Sequence, residues 1–231
     1  MLSLLSRIIG YVARSLFLYG LTRMRRGSSI LAVAHMVLVT ISLSSHSIVS
    51  SLPSLLLVMY MYYWSRMSRQ LAYASIIALV PALWMGLTHL AARWAIGSID
   101  YAGAVGVTLR AFIGSLHAFY MLHSLNTSEL AYIAARVGGP IAGVAPHLVW
   151  RTTSLMLREA SEMIFLHRLK GVRAWRSLAM LIVRGEEVSQ LFTEGITLKT
   201  RVFRPQVFYD RTALMLQGIL LAVDALSQHT L

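Results

Sequence analysis

Between residues 27 and 64 the chain holds no Asp, Glu, Lys or Arg, and no other feature narrows its fold so far. A single helix of that length would reach about 55 Å at 1.5 Å per residue, well beyond a roughly 30 Å hydrocarbon core. The serine-rich residues 42–51, followed by Pro53, supply a turn. A helical hairpin is therefore expected, with one helix near residues 29–43 and another near 52–64. Tyr60, Tyr62, Tyr63 and Trp64 read as an aromatic girdle at the returning end, backed by Arg66 and Arg69.

Composition extends this reading to the whole chain. Only 13% of the residues are charged and 57% are hydrophobic, at a mean hydropathy of +0.64. Soluble domains carry about 25% charged residues, so an ordinary soluble domain is excluded. The net charge of +12 falls in clusters between apolar runs. That is the habit of cytoplasmic loops flanking membrane spans, and it argues for a lipid bilayer rather than nucleic acid as the partner. With no cysteine, disulfides, thiolate nucleophiles and cysteine-ligated metals are ruled out.

Four segments follow from the charge pattern. Residues 1–27 form an N-terminal interfacial helix and a basic turn. Arg7 and Arg14 lie on nearly one helical face and interrupt the apolar core that a cleaved signal peptide would need, and Arg23, Arg25 and Arg26 stay cytoplasmic. Residues 28–125 hold membrane helices, including the clearest span, 70–92, with Pro81 near its middle, and another over 102–125. Residues 126–211 are cytoplasmic, and 212–231 form a final transmembrane helix. The fold expected is an all-α integral membrane protein with about five transmembrane helices and long amphipathic cytoplasmic helices. In the 102–125 span, Ala102, Gly106, Gly114 and Ala118 recur at intervals of four, broken by Arg110, which suits close helix packing or a docking face. Arg110 and Asp224 would sit at similar depth, which leaves two expectations open: an Arg110–Asp224 charge pair, or snorkelling to the outer headgroups.

Residues 126–211 carry more than half of the basic residues and all but two of the acidic ones. Pro140 and Pro146 divide the first part into at least two helical pieces. Arg151, Arg158 and Glu162 share one side of the second, where Glu162 can pair with Arg158 four residues earlier. The helix closes on His167, Arg168, Lys170 and Gly171: cations in the last turn, then a glycine cap. Further on lie an amphipathic stretch over 177–191 and Glu186 and Glu187, which read as a solvated face.

The run Thr127-Ser128-Glu129-Leu130, the small-residue and proline break, and Arg158-Glu159-Ala160-Ser161-Glu162 closing on a basic motif and glycine resemble a known pattern. It is the cytoplasmic coupling region of the T component of energy-coupling factor (ECF) transporters, the CbiQ/EcfT family. A second block, Gly185-Glu186-Glu187-Val188-Ser189-Gln190-Leu191-Phe192-Thr193-Glu194-Gly195, is similar to that family's second coupling-helix signature. Lys199-Thr200-Arg201-Val202-Phe203-Arg204-Pro205 and a final apolar helix follow in the family's order. The resemblance covers roughly residues 105–226. The family usually ends both coupling helices in Ala-Arg-Gly. This chain has Leu169-Lys170-Gly171, which keeps the charge, and Thr193-Glu194-Gly195, which reverses it.

The resemblance implies a multi-pass cell-membrane scaffold that is not itself an enzyme. It would join two ABC-type ATPase subunits to a substrate-binding membrane S component, in vitamin or transition-metal-ion uptake. Arg168 and Lys170 would meet acidic groups of one ATPase, with Gly171 permitting a close turn; Glu194 and Gly195 would serve the second. No cofactor or metal is implied for the chain. Two other readings share its composition: a membrane-anchored interaction protein without an ATPase partner, and an integral-membrane lipid-modifying enzyme. The last would need clustered carboxylates or histidines at the interface, and the sequence offers none. Nor does it contain a P-loop, an H-E-x-x-H zinc motif or a G-x-S-x-G elbow. The histidines are scattered. His35, His46, His89, His117 and His123 fall in or beside apolar spans and read as packed or interfacial residues.

Overall fold

The computed structural model describes residues 10–12, 24, 27–45, 48–171, 180, 182–187, 190, 194–195 and 206–229. Among these there is no strand. The helices are α1 (Ser29–Ser45), α2 (Leu52–Trp64), α3 (Ser68–Ala95), α4 (Tyr101–Ser124), α5 (Thr127–Leu169) and α6 (Arg211–His229), with a short 3-10 turn at Ile48–Ser51 between α1 and α2. The chain divides into two compact units: Asn126–Phe208 in one, Thr22–Leu125 and Tyr209–Leu231 in the other. The interfacial helix expected over residues 1–21 lies outside the described residues, apart from the helical residues 10–12.

The second unit is a helical bundle. Of the five spans expected, α3 and α4, at 28 and 24 residues, are the helices long and apolar enough to cross a membrane among the described residues. At 1.5 Å per residue they reach about 42 and 36 Å. The apolar α1 and α2 are shorter, and α6 carries Gln217, Asp224 and Gln228 along its length. The two helices expected over residues 29–64 are present, joined through the 3-10 turn where Ser42 Oγ and Ser50 Oγ lie 3.0 Å apart, but they pack on α4 and α6 rather than closing on each other as the expected hairpin.

α3 and α4 pack antiparallel, and the closeness of their approach is written in α3. Its buried residues, Gln70, Ala74, Ala78, Ala82 and Gly86, recur at every fourth position. All but the first are small, so the backbones meet with little between them. At the far end a Cβ on Gly86 would overlap Thr108 Oγ1, which is held by the Ala104 carbonyl at 2.8 Å. The small-residue stripe anticipated on α4 is not this seam: Ala102 is exposed and Gly106 faces open space. α4 instead buries Ala104, Ile113, Leu116, His117 and Tyr120. The outer side of α3 exposes Ile76, Leu79, Val80, Leu83, Trp84 and Leu87, a contiguous apolar surface of the kind that marks a membrane or protein contact.

α1 packs against both α4 and α6, and α2 against α6. The core of the bundle centres on Val58, Met61, Tyr62, Tyr120 and Leu220. Tyr62 therefore leaves the aromatic girdle it was assigned to: it is fully buried, whereas Tyr60 and Tyr63 are exposed.

The first unit is built on α5. Asn126 caps its N-terminus, its Oδ1 accepting from the Ser128 and Glu129 amides at 3.2 and 3.4 Å, while its Nδ2 donates to the Phe208 carbonyl at 3.1 Å. One side chain thus starts the helix and ties together the two ends of the unit. Glu129 in the first turn suits the positive helix end. The expected division of α5 falls at Gly139, with φ 77° and ψ −176°, whereas Pro146 sits within continuous helix. Only glycine populates that conformation readily, and Pro140 disfavours a helical residue before it. Gly139→Ala is expected to cost about 1–3 kcal/mol of unit stability. Thermal unfolding followed by far-UV circular dichroism checks this, and an unchanged midpoint would show that the kink is not set by Gly139.

Candidate functional site

Two places gather polar side chains. The first is the hairpin formed by α5 and the helical residues 182–187 and 194–195. Arg184 Nε donates to Glu159 Oε2 at 3.0 Å, and its Nη1 to Glu187 Oε2 at 2.5 Å. Gly185 and Gly195 lie beside Met156 and Leu148, so the two segments run antiparallel. Beyond Arg184 a groove of ≈ 550 Å³ opens, floored by Met163, Leu166, Met180 and Val183. Glu187 is thus part of a bridge rather than only a solvated carboxylate. The Arg158–Glu162 pair expected within α5 falls outside the described side chains, because that of Arg158 is not described.

Arg184 holds the Glu159 carboxyl below its usual range, first by its hydrogen bond and then by its charge. A carboxyl depressed in the folded state contributes stability above its unfolded value and loses it as pH falls through the folded one. The contribution therefore begins to be lost as pH falls below the ordinary glutamate value, about 4.3, and goes on falling through the lower folded one. Both partners are more than a third exposed, so salt screens the pair. Arg184→Met is expected to leave the melting midpoint within a few degrees at neutral pH and to flatten its decline in acid. An unaltered acid decline would remove the bridge from the account.

The residues singled out for coupling lie at the ends of this hairpin. α5 closes in a turn in which the Lys170 amide donates to the Leu166 carbonyl at 3.1 Å. Lys170 is exposed, and Gly171 has φ 65°, the left-handed cap its position called for. Arg168 is helical, but its side chain lies outside the described ones. Glu194 is exposed. Gly195 differs from expectation: it is helical and half-buried, and a Cβ there would sit 3.8 Å from both Leu148 methyls. It allows close packing of two helices rather than a turn.

The second place is inside the bundle, where the sequence reading saw only scattered histidines. Asp224 on α6 is buried, and its Oδ2 lies 2.5 Å from His35 Nδ1 on α1. His35 Nε2 is 2.9 Å from His117 Nδ1 on α4. Asp224, His35 and His117 are 2%, 1% and 0% exposed, so the whole chain of bonds is sealed from solvent. His117 Nε2, also buried, has no hydrogen-bond partner among the described residues. The Arg110–Asp224 pair is thus corrected: a histidine takes the carboxylate, and the Arg110 side chain is exposed.

A second buried cluster adjoins the first. Tyr120 stacks edge-on against His35, with ring centroids 5.5 Å apart, and Tyr62 meets Tyr120 at 6.4 Å. Tyr62 Oη lies 2.5 Å from His123 Nδ1, and Gln70 Nε2 lies 3.3 Å from His123 Nε2. The shared element is α4, where His117, Tyr120 and His123 recur at intervals of three on the buried face. That spacing is the signal that could have found them. Asp100, at the start of α4, is a helix cap: it accepts from the Gly103 amide at 2.8 Å. That bond, then Arg93 and His89, hold its carboxyl below the usual range.

Among the described residues no cluster of three His, Asp or Glu could hold a metal ion. Comparison with protein families, with curated proteins and with solved structures finds no match.

Proposed function

We propose that the chain is the membrane scaffold of an ECF-type importer, passing the motion of two ABC-type ATPase subunits to a substrate-capturing membrane S component. One observation carries this reading. A compact helical hairpin, ending in an exposed Lys170 and a left-handed Gly171, is inserted in sequence between the apolar bundle helices α4 and α6. A lever of this kind needs stiffness, and the Arg184 bridge between its two limbs supplies some. It also needs a firm first turn, which the Asn126 cap supplies. The apolar outer face of α3 and the length of α4 suit membrane association, and the resemblance adds a multi-pass placement with the hairpin in the cytoplasm. The order of the coupling signatures in sequence favours ATPase partners over a lone membrane-anchored interaction protein. ATP is hydrolysed by the partners on this reading, and the chain itself contributes no catalytic group.

The test is a detergent pull-down of the full chain with co-expressed ABC-type ATPases from the same genome. It would compare wild type, Lys170→Glu and Glu194→Lys. Gly195 is a poor probe, because a bulky side chain there would wedge the hairpin at Leu148. Wild type is expected to retain an ATPase pair, and Lys170→Glu to weaken it at least about tenfold, or ~1.4 kcal/mol. A matching loss with Glu194→Lys would assign the second contact. Recovery of no ATPase by the wild type would overturn the scaffold reading.

A further inference from the structure

Asp224, His35 and His117 join α6, α1 and α4 through two hydrogen bonds in series, and the last nitrogen of the series is buried and has no partner among the described residues. A neutral imidazole carries one N–H, so each ring donates at one nitrogen and accepts at the other. With Asp224 ionised, His35 Nδ1–H donates to the carboxylate and His117 Nδ1–H donates to His35 Nε2. His117 Nε2 is then a buried lone pair with no donor to it among the described residues. A polar atom left so is costly unless something binds it.

We propose that this triad is a proton-binding site within the bundle, loaded and emptied through His117 Nε2. One proton added there lets His117 pass its Nδ1 proton to His35 Nε2, and lets His35 pass its Nδ1 proton to Asp224 Oδ2. One proton enters, two hydrogen bonds reverse direction, both imidazoles end neutral, and the carboxylate becomes a neutral acid. The buried negative charge is cancelled without an ion pair left in the apolar interior. The reversal acts on the bonds that hold three helices together, so proton occupancy and bundle packing are linked.

The groups around the triad leave this arrangement intact. α4 itself adds Tyr120 and, two turns from His117, His123. α2 presents Tyr62, which reaches Tyr120 by its ring and is bonded to His123. α3 presents Gln70, bonded to His123. α6 adds Gln217, whose Oε1 accepts from the Ser28 amide at 2.8 Å. The site stands on bundle residues alone and is independent of any ATPase partner.

The experiment is nitrogen NMR of the full chain in lipid nanodiscs, with 15N-labelled histidine, from about pH 5 to pH 8, the interval in which histidine charge ordinarily changes. Wild type is expected to show tautomer exchange at His117: Nε2 gains its proton as Nδ1 loses one. An isolated histidine would instead end with both nitrogens protonated. In Asp224→Asn the terminal acceptor can no longer take a proton, and the exchange should vanish. A single His117 tautomer throughout, titration to the imidazolium, or an identical exchange in Asp224→Asn would overturn the proposal. If Asp224→Asn does not fold, the wild-type tautomer record decides alone.

Discussion

His35→Leu is expected to destabilise the bundle by about 3–5 kcal/mol, enough to remove most folded protein from a detergent preparation. The reason lies in what the substitution leaves behind. Asp224, 2% exposed, would lose the imidazole 2.5 Å from its Oδ2, and His117 would lose the partner of its Nδ1. Leucine fills the volume but satisfies neither group. Asp224→Leu alone should cost less, about 1–3 kcal/mol, because it strands a neutral imidazole nitrogen rather than a carboxylate. The double variant His35→Leu/Asp224→Leu should be more stable than His35→Leu, since apolar replacement of both partners removes the stranded charge. Unfolding midpoints of the four proteins measure this cycle. A double variant no better than His35→Leu would mean the two side chains are not energetically coupled.

The architecture was legible wherever one helix speaks for itself. The uncharged run to Trp64, the turn near Pro53 and the spans over α3 and α4 follow from charge and hydropathy, which are local quantities. Contacts between helices were less so. His35 and His117 are separated by 82 positions and His35 and Asp224 by 189, and no spacing in one helix encodes such a meeting. The Arg110–Asp224 expectation failed for this reason: depth along two helices was inferred, but not which faces turn inward. Two intrahelical signals were present and unread. The small residues at every fourth position from Ala74 to Gly86 mark the α3 seam, and His117, Tyr120 and His123 mark the inward face of α4. In the hairpin, Gly171 behaved as a cap because its sequence context was a helix end, whereas Gly195 lies against Leu148, a contact only the fold reveals.

Tyr62 shows how far position can override type, and its removal should rival that of His35. In sequence it is one aromatic among four at the end of α2; in the bundle it is fully buried, among the largest side chains so placed. Tyr62→Ala would empty a ring-sized space beside Tyr120 and Met61 and is expected to cost about 3–5 kcal/mol. Tyr62→Phe separates the two contributions. It keeps the ring but removes the hydroxyl that lies 2.5 Å from His123 Nδ1, and the loss of that buried hydrogen bond should cost about 1–3 kcal/mol. Adding His123→Leu to Tyr62→Phe replaces the buried imidazole by an apolar group, yet it also removes the partner 3.3 Å from Gln70 Nε2. Recovery should therefore be partial, and adding Gln70→Leu should improve it. The same ladder applied to Tyr63, 75% exposed, should give changes of a few tenths of a kcal/mol. Equal losses at Tyr62 and Tyr63 would remove the distinction between an inward and an outward tyrosine on α2, and with it the packing of α2 against the core.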